Sequence, residues 1–338
     1  MKKVIRSICY FTKNPNKKIV EKLAEIENLL KRKDFEIQTK RICSPTKNFT
    51  ELKETVNDNS ILLGIGTLNF SETKEKFDDF LKAEDISFNL DLTNEEINEE
   101  HVKLLFNMFK ENASASFCFS YTFNNVHSSP YFPSGEYNKE GFSIGLQPTN
   151  LAEDCTNLEG WFNNMESVWK ELNNLFKDNK EFLGIDSSIA PIFTGAGSLI
   201  NFSKKIKGSF NNSVLSDFYV RITKFIKENN PKPVGLCGLM IPCLEDFELT
   251  EEYEKGNFTI ERNILLSLNS GLGIDTYPVG INEYPKKIVE ILQLIQALSN
   301  KYKKPLSVRL VSDGKAKIGQ KTDFKNQYLK DVIIRSLK

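Results

Sequence analysis

Histidine is nearly absent from this chain of 338 residues, which has only His101 and His127. So few imidazoles leave little material for a His-rich metal centre or for a nucleophile activated by a neighbouring histidine. An excess of either charge is missing too, since 45 Lys and Arg stand against 45 Asp and Glu. Without a basic surplus, neither nucleic acid nor an acidic membrane surface is an expected partner. Long apolar runs are also lacking. The opening ten residues alternate apolar and polar positions after two lysines, which reads as a strand and not as a signal peptide. No run reaches the length a membrane helix needs. The six cysteines (Cys9, Cys43, Cys118, Cys155, Cys237 and Cys243) are widely spaced, without the close pairs of zinc or redox motifs. Reduced thiols in a cytoplasmic protein are the expectation. Glycine-rich phosphate loops are absent as well. Gly64-Ile65-Gly66 continues as Thr67, Leu68 and Asn69 with no third glycine, so a dinucleotide cofactor is not expected.

What is present is an ordinary globular balance, 40% hydrophobic and 27% charged, which excludes a disordered chain and allows a sizeable core. Apolar, β-branched stretches alternate with amphipathic ones almost from end to end. Strands are expected at residues 3–10, 35–43, 61–66, 86–90, 116–123, 142–146, 182–186, 235–240, 272–275 and 306–311. Helices are expected at 17–33, at 158–176 with Trp161, Met165, Trp169 and Leu172 on one core stripe, and at 285–302 behind Pro285. Thr93 and Glu96 form a capping-box pattern before a further helix carrying Val102, Leu105 and Phe109. Such alternation implies an α/β sheet or barrel. Residues 209–213 and 227–232 read as surface connections. Residues 124–139, rich in proline, serine and aromatics, form the longest irregular stretch and are a candidate lid.

Ligands of parallel α/β folds collect beyond the carboxyl ends of strands, so polar residues at strand exits are the candidates. Asp186, Ser187 and Ser188 follow one apolar strand directly. Gly195-Ala196-Gly197-Ser198 precedes a basic helical stretch and suits either an anion or a tight turn with a serine cap. Glu245 and Asp246 leave another apolar segment side by side. They could hold a divalent cation or divide acid and base roles, or Asp246 could cap the next helix. Asp275 ends a strand after two glycines. Arg309 sits inside an apolar strand, where its charge needs a partner: Asp275, Glu245 or an acidic substrate. Cys237, inside its apolar segment, reads as an inert buried thiol.

Several of these segments carry a resemblance. Ile37 to Pro45, Phe142 to Gln147, Gly184-Ile-Asp-Ser-Ser-Ile-Ala-Pro191, Gly195-Ala-Gly-Ser198, Gly238-Leu-Met-Ile-Pro-Cys-Leu-Glu-Asp246, Gly273-Ile-Asp-Thr-Tyr-Pro278 and Lys304 to Leu310 look like those of the uncharacterised family catalogued as domain of unknown function 711. The resemblance implies one domain over residues 1–338, a ten-stranded α/β barrel of two five-stranded halves similar to pyruvate formate-lyase and ribonucleotide reductase. It does not imply their chemistry. The Arg-Val-x-Gly-Tyr-like segment of glycyl-radical enzymes is missing, so no glycyl radical is expected. The chain departs from the family pattern at Ser270, where cysteine is usual, at Cys237, where serine is usual, and at Gln320, where an acid is usual. The similarity of Ser129-Pro-Tyr131-Phe-Pro-Ser-Gly-Glu136-Tyr137 to the family's Phe-Phe-Pro segment brings Tyr131 and Glu136 towards the barrel mouth.

The expected function is therefore an enzyme acting on a small polar or anionic metabolite. Asp186, Glu245 and Asp275 would supply acid, base or cation-binding oxygens, and Arg309 would hold a carboxylate or phosphate. Ser187, Ser188 and the Gly195–Ser198 turn would bind the substrate. The alternative is a protein that only binds a metabolite, and for it the resemblance implies a small amino-acid-sensing regulatory partner, with which some relatives are associated. A divalent cation and a homodimer are compatible with either.

Overall fold

The expected alternation is realised in the computed structural model, which describes residues 2–46, 48–83 and 85–337. Its first strands are β1 (Lys3–Phe11), β2 (Phe35–Ile37), β3 (Lys40–Cys43), β4 (Ile61–Leu68) and β5 (Ile86–Asp91). They continue as β6 (Phe119–Phe123), β7 (Gly141–Leu146), β8 (Phe182–Asp186), β9 (Gly273–Pro278) and β10 (Leu306–Val311). The helices between them are α1 (Lys17–Lys31), α2 (Phe49–Val56), α3 (Phe70–Lys82), α4 (Glu99–Glu111), α5 (Leu158–Phe176) and α6 (Leu199–Lys207). After these come α7 (Phe210–Val214), α8 (Phe218–Asn229), α9 (Phe247–Glu254), α10 (Ile260–Asn269) and α11 (Pro285–Tyr302).

Asparagine starts the first five helices. Asn16, Asn48, Asn69, Asn98 and Asn157 each accept a backbone N–H of the first turn, an arrangement worth about 1 kcal/mol apiece. The capping box expected at Thr93 and Glu96 forms instead at Asn98 and His101. Thr93 is held in a turn by its hydroxyl bond to Asp91, 2.5 Å long. The 209–213 stretch is a helix start and not a plain connection, with Ser209 capping α7. Trp161, Met165, Trp169 and Leu172 of α5 are fully buried, as core residues. No helix among the described residues is long and apolar enough to cross a membrane.

The strand order is β8-β7-β1-β3-β4-β5-β6-β10-β9, with β2 also on β1. β1, β3, β4, β5 and β6 are mutually parallel neighbours. β7 pairs with β8 in parallel, and β9 with β10. Both of these pairs meet the first group antiparallel, at β1/β7 and β6/β10. The ladder thus has free ends at β8 and β9, and the ten-stranded sheet is not closed by continuous pairing. The segment expected as a strand at 235–240 lies between those ends without being one. Its strand-like pairing on both sides is limited to single parallel bridges, among them Ile189 to Leu239, Leu239 to Gly271 and Pro242 to Asp275. Gly235 at φ +74° and Cys237 at φ +42° bend it out of extended geometry.

Residues 124–139 correct another expectation. They do not cover the sheet as a lid but are packed against one of its faces, with Ser129 and Tyr131 buried. Ser7 of β1 donates to Pro130 O at 2.8 Å and Asn89 of β5 donates to Pro133 O at 3.0 Å. Glycines in the strands make room for this plug. A Cβ on Gly64 would lie 2.8 Å from the Phe132 ring, and one on Gly145 would lie 2.6 Å from the Tyr131 ring. Gly145→Ala is therefore expected to overpack the interior and cost about 1–3 kcal/mol in urea unfolding. An unchanged midpoint would show that the Tyr131 ring is not held where it lies.

Candidate functional site

The antiparallel junctions decide where a site can form. They put the amino ends of β1 to β6 beside the carboxyl ends of β7 to β10. A cavity of about 930 Å³ opens there, bounded by the strands, the plug tip, residues 236–242 and the C-terminal segment 323–329.

Charged side chains converge in it. Arg309 of β10 donates from Nε to Asp275 Oδ1 at 2.6 Å and from Nη2 to Glu245 Oε1 at 2.5 Å. Its Nη1 donates to Phe117 O at 3.3 Å, and the guanidinium lies 5.0 Å from the Phe117 ring centre. The pairing foreseen for Arg309 is thus present, and it leaves this arginine neutralised within the protein. Burial works against its charge, but Asp275 and Glu245 outweigh burial and raise its pKa. Glu245 is shared with Arg6 of β1 through a longer contact of 3.4 Å from Nη2 to Oε2. Burial pushes the Glu245 carboxyl above the usual range, Arg309 and Arg6 pull it back, and Asp275 adds to the rise.

Arg41, near the start of β3, is not at a strand exit and so is not among the residues expected from the sequence. It is 8% exposed and donates from Nε to Thr39 Oγ1 at 3.3 Å. Its guanidinium lies 5.0 Å from the Phe132 ring centre. No carboxylate among the described residues forms an ion pair with it. Burial, followed by the nearby Arg6, lowers its pKa to about 10. Serine hydroxyls also line the cavity, and the buried Ser120 Oγ has no hydrogen-bond partner among the described residues. Across the mouth, Tyr328 is stacked 6.3 Å from Phe117 and 5.9 Å from Phe193.

Other candidates lie elsewhere. Asp186 is fully buried and outside the cavity, accepting from Ser129 Oγ, Ser188 N, Ser188 Oγ, Leu236 N and Cys237 N. Ser187 donates to Ile226 O, and Ser188 Oγ accepts Gly238 N. This trio anchors the loop at residues 236–238, between α8 and α9. Cys237 belongs to that loop, and burial pushes its thiol up. Gly195 and Gly197 form a short turn into α6, where Ser198 accepts Asn201 N as the cap. The next N–H groups, of Leu199 and Ile200, point at Asp246. Asp246 also accepts Ser198 Oγ, Glu248 N and Leu249 N, so it caps α6 and α9 together. It faces away from Glu245's partners, and burial raises its carboxyl to about 6. Among the described residues no three His, Cys, Asp or Glu groups are placed to hold a metal ion. Tyr131 does line the cavity, with its hydroxyl donating to Leu146 O at 2.8 Å. Glu136 lies behind it and accepts Thr67 N at 2.6 Å.

A family profile described as uncharacterised ACR (DUF711) matches residues 86–326, well over half of the chain. The match begins at β5, so Arg6 and Arg41 precede it. No curated protein matches the chain.

Proposed function

The chain belongs to the DUF711 family, and we propose that it is an enzyme acting on a small polar or anionic metabolite, with Glu245 as its proton-transferring group. The observation that carries this reading is a buried carboxylate reaching a large cavity between two arginines of unequal grip. Arg309 fixes Oε1 at 2.5 Å, while Oε2 has only the 3.4 Å contact to Arg6. A carboxyl held at one oxygen and loose at the other is oriented and still able to exchange a proton. Its raised pKa brings that exchange closer to neutral pH. In this reading the sheet is the wall of a barrel, and residues 233–246 supply the fifth member of the half formed by β7 to β10. The metabolite lies at the barrel mouth.

Small oxo-, hydroxy- and amino-carboxylates incubated with the protein in deuterated water test this by the appearance of deuterium on carbon. Glu245→Gln is expected to lower such exchange by about 10²–10⁴-fold. If Glu245 acts as the base, exchange rises with pH through a midpoint above the ordinary carboxylate range. Equal exchange in Glu245→Gln and the parent protein would sink the assignment.

A second reading rests on the occupation of both Glu245 oxygens by arginines in this structure. The cavity would then only bind its metabolite, for a regulatory partner to sense. A ligand recovered chemically unchanged, with no exchange, would favour it.

A further inference from the structure

We propose that Arg41 and Arg6 form an anion subsite within the cavity, and that its ligand is a monocarboxylate with an apolar body. The inference rests on reading the cavity as a ligand site, and it names the class of molecule that the site takes. Arg41 is the starting point. As a residue it is 8% exposed, its Nε has a threonine hydroxyl, and its terminal nitrogens have no hydrogen-bond partner among the described residues. Removing a guanidinium from water is costly without a partner, so a site of this kind is completed by an anion. Arg6 is the natural second donor, because its ties to Gln38 at 3.2 Å and Glu245 at 3.4 Å are long enough to yield. Arg309 is not available, since Asp275 and Glu245 already neutralise it.

Charge selects the head group. Of the charged groups lining the cavity, Asp85, Asp323, Lys315 and Lys325 are exposed and Asp313 half-buried, whereas the buried cluster sets three arginines, Arg6, Arg41 and Arg309, against two carboxylates, Glu245 and Asp275, and is one negative charge short of neutral. A carboxylate supplies one charge and two coplanar acceptors, which match the guanidinium fork. A phosphate monoester dianion would overshoot. Ser120 Oγ, buried and without a hydrogen-bond partner among the described residues, also lines the cavity. Leu236, Met240, Ile241 and Leu272 give the cavity an apolar lining that suits a hydrocarbon body.

Calorimetric titration with hexanoate, hexanol and hexyl phosphate tests the proposal. Hexanoate is expected to bind at least tenfold more tightly than hexanol, and more tightly than hexyl phosphate. Arg41→Gln is expected to weaken hexanoate at least tenfold and leave hexanol unchanged, which reports that the cavity is still folded. Arg41→Lys should retain part of the affinity. Glu245→Gln should bind hexanoate more tightly, because it releases Arg6. Hexanoate affinity unchanged by Arg41→Gln, or a preference for hexyl phosphate, would overturn the subsite. Carboxylate binding that depends on Arg41 without any deuterium exchange would instead leave the subsite standing and remove the enzyme reading.

Discussion

Asp186→Ala is expected to lose about 3–5 kcal/mol in equilibrium urea unfolding, as a buried charge network does when its centre is removed. Asp186 Oδ1 accepts Ser188 N at 3.0 Å, Ser188 Oγ at 2.5 Å and Cys237 N at 3.0 Å. Oδ2 accepts Ser129 Oγ at 2.8 Å and Leu236 N at 2.9 Å. Alanine would strand the N–H groups of Leu236 and Cys237, in a loop whose backbone already turns through left-handed conformations at Gly235 and Cys237. It would also free Ser129, and with it the base of the plug. Asparagine is expected to be nearly as harmful, because its amide would point a donor at donors. Amide exchange at Leu236 and Cys237 should rise most. A loss below about 1 kcal/mol would contradict this account, since each stranded donor alone is worth about 1–3 kcal/mol. The sequence pattern singled out Asp186 as a catalytic candidate. The contacts make it an anchor, and the two roles separate by measurement: an anchor loses stability when removed.

The same residue shows what sequence can and cannot convey. An aspartate leaving an apolar strand ahead of two serines reads the same whether it faces a ligand or knots a loop. Only the position of residues 129 and 235–238, distant in sequence, distinguishes the two. Periodicity placed α5 and α11 to the residue, because the burial of one stripe dictates a helix's span. It misplaced the strand at 235–240, because alternation of apolar residues is blind to a positive φ at Cys237. Composition marked 124–139 as unusual, yet proline and aromatics fit a lid and a plug equally. The glycines of β4 and β7 are the local trace of the plug, and their meaning depends on Phe132 and Tyr131 lying against them. Arg309, Asp275 and Glu245 could be joined from sequence, since a buried arginine requires carboxylates. Arg6 and Arg41 could not, because they lie towards the amino ends of β1 and β3, the end at which a wholly parallel sheet binds no ligand. The antiparallel junctions at β1/β7 and β6/β10 turn the amino ends of the first group to the same mouth. No local pattern announces that reversal.

Arg309→Met is the second large effect, about 3–5 kcal/mol at neutral pH, the cost of breaking a buried ion cluster by removing one partner. The side chain is 10% exposed and bridges Asp275 and Glu245, which are themselves 18% and 7% exposed. Without the guanidinium these carboxylates face each other across a buried site, and Asp275 already pushes Glu245 up. Methionine fills much of the volume, so the loss would be electrostatic more than steric. The sign of its pH dependence follows. In the variant the folded carboxyl has a higher pKa than in the unfolded chain, so the folded state holds more protons between those two values. Stability therefore falls as pH rises through that window, and the deficit relative to the parent protein is smallest near pH 4 and largest above neutrality. Adding Glu245→Gln and Asp275→Asn to Arg309→Met removes the repelling charges together. The triple variant is expected to recover most of the loss, so the three changes combine far from additively. A deficit flat from pH 4 to pH 8, or a triple variant as unstable as the sum of its parts, would show that Arg309 is held by packing against Phe117 and not by its carboxylates. Recovery in the triple variant would instead make the cluster dispensable for folding. The chain would then keep two acids and a buried arginine at the cavity wall for what the cavity binds.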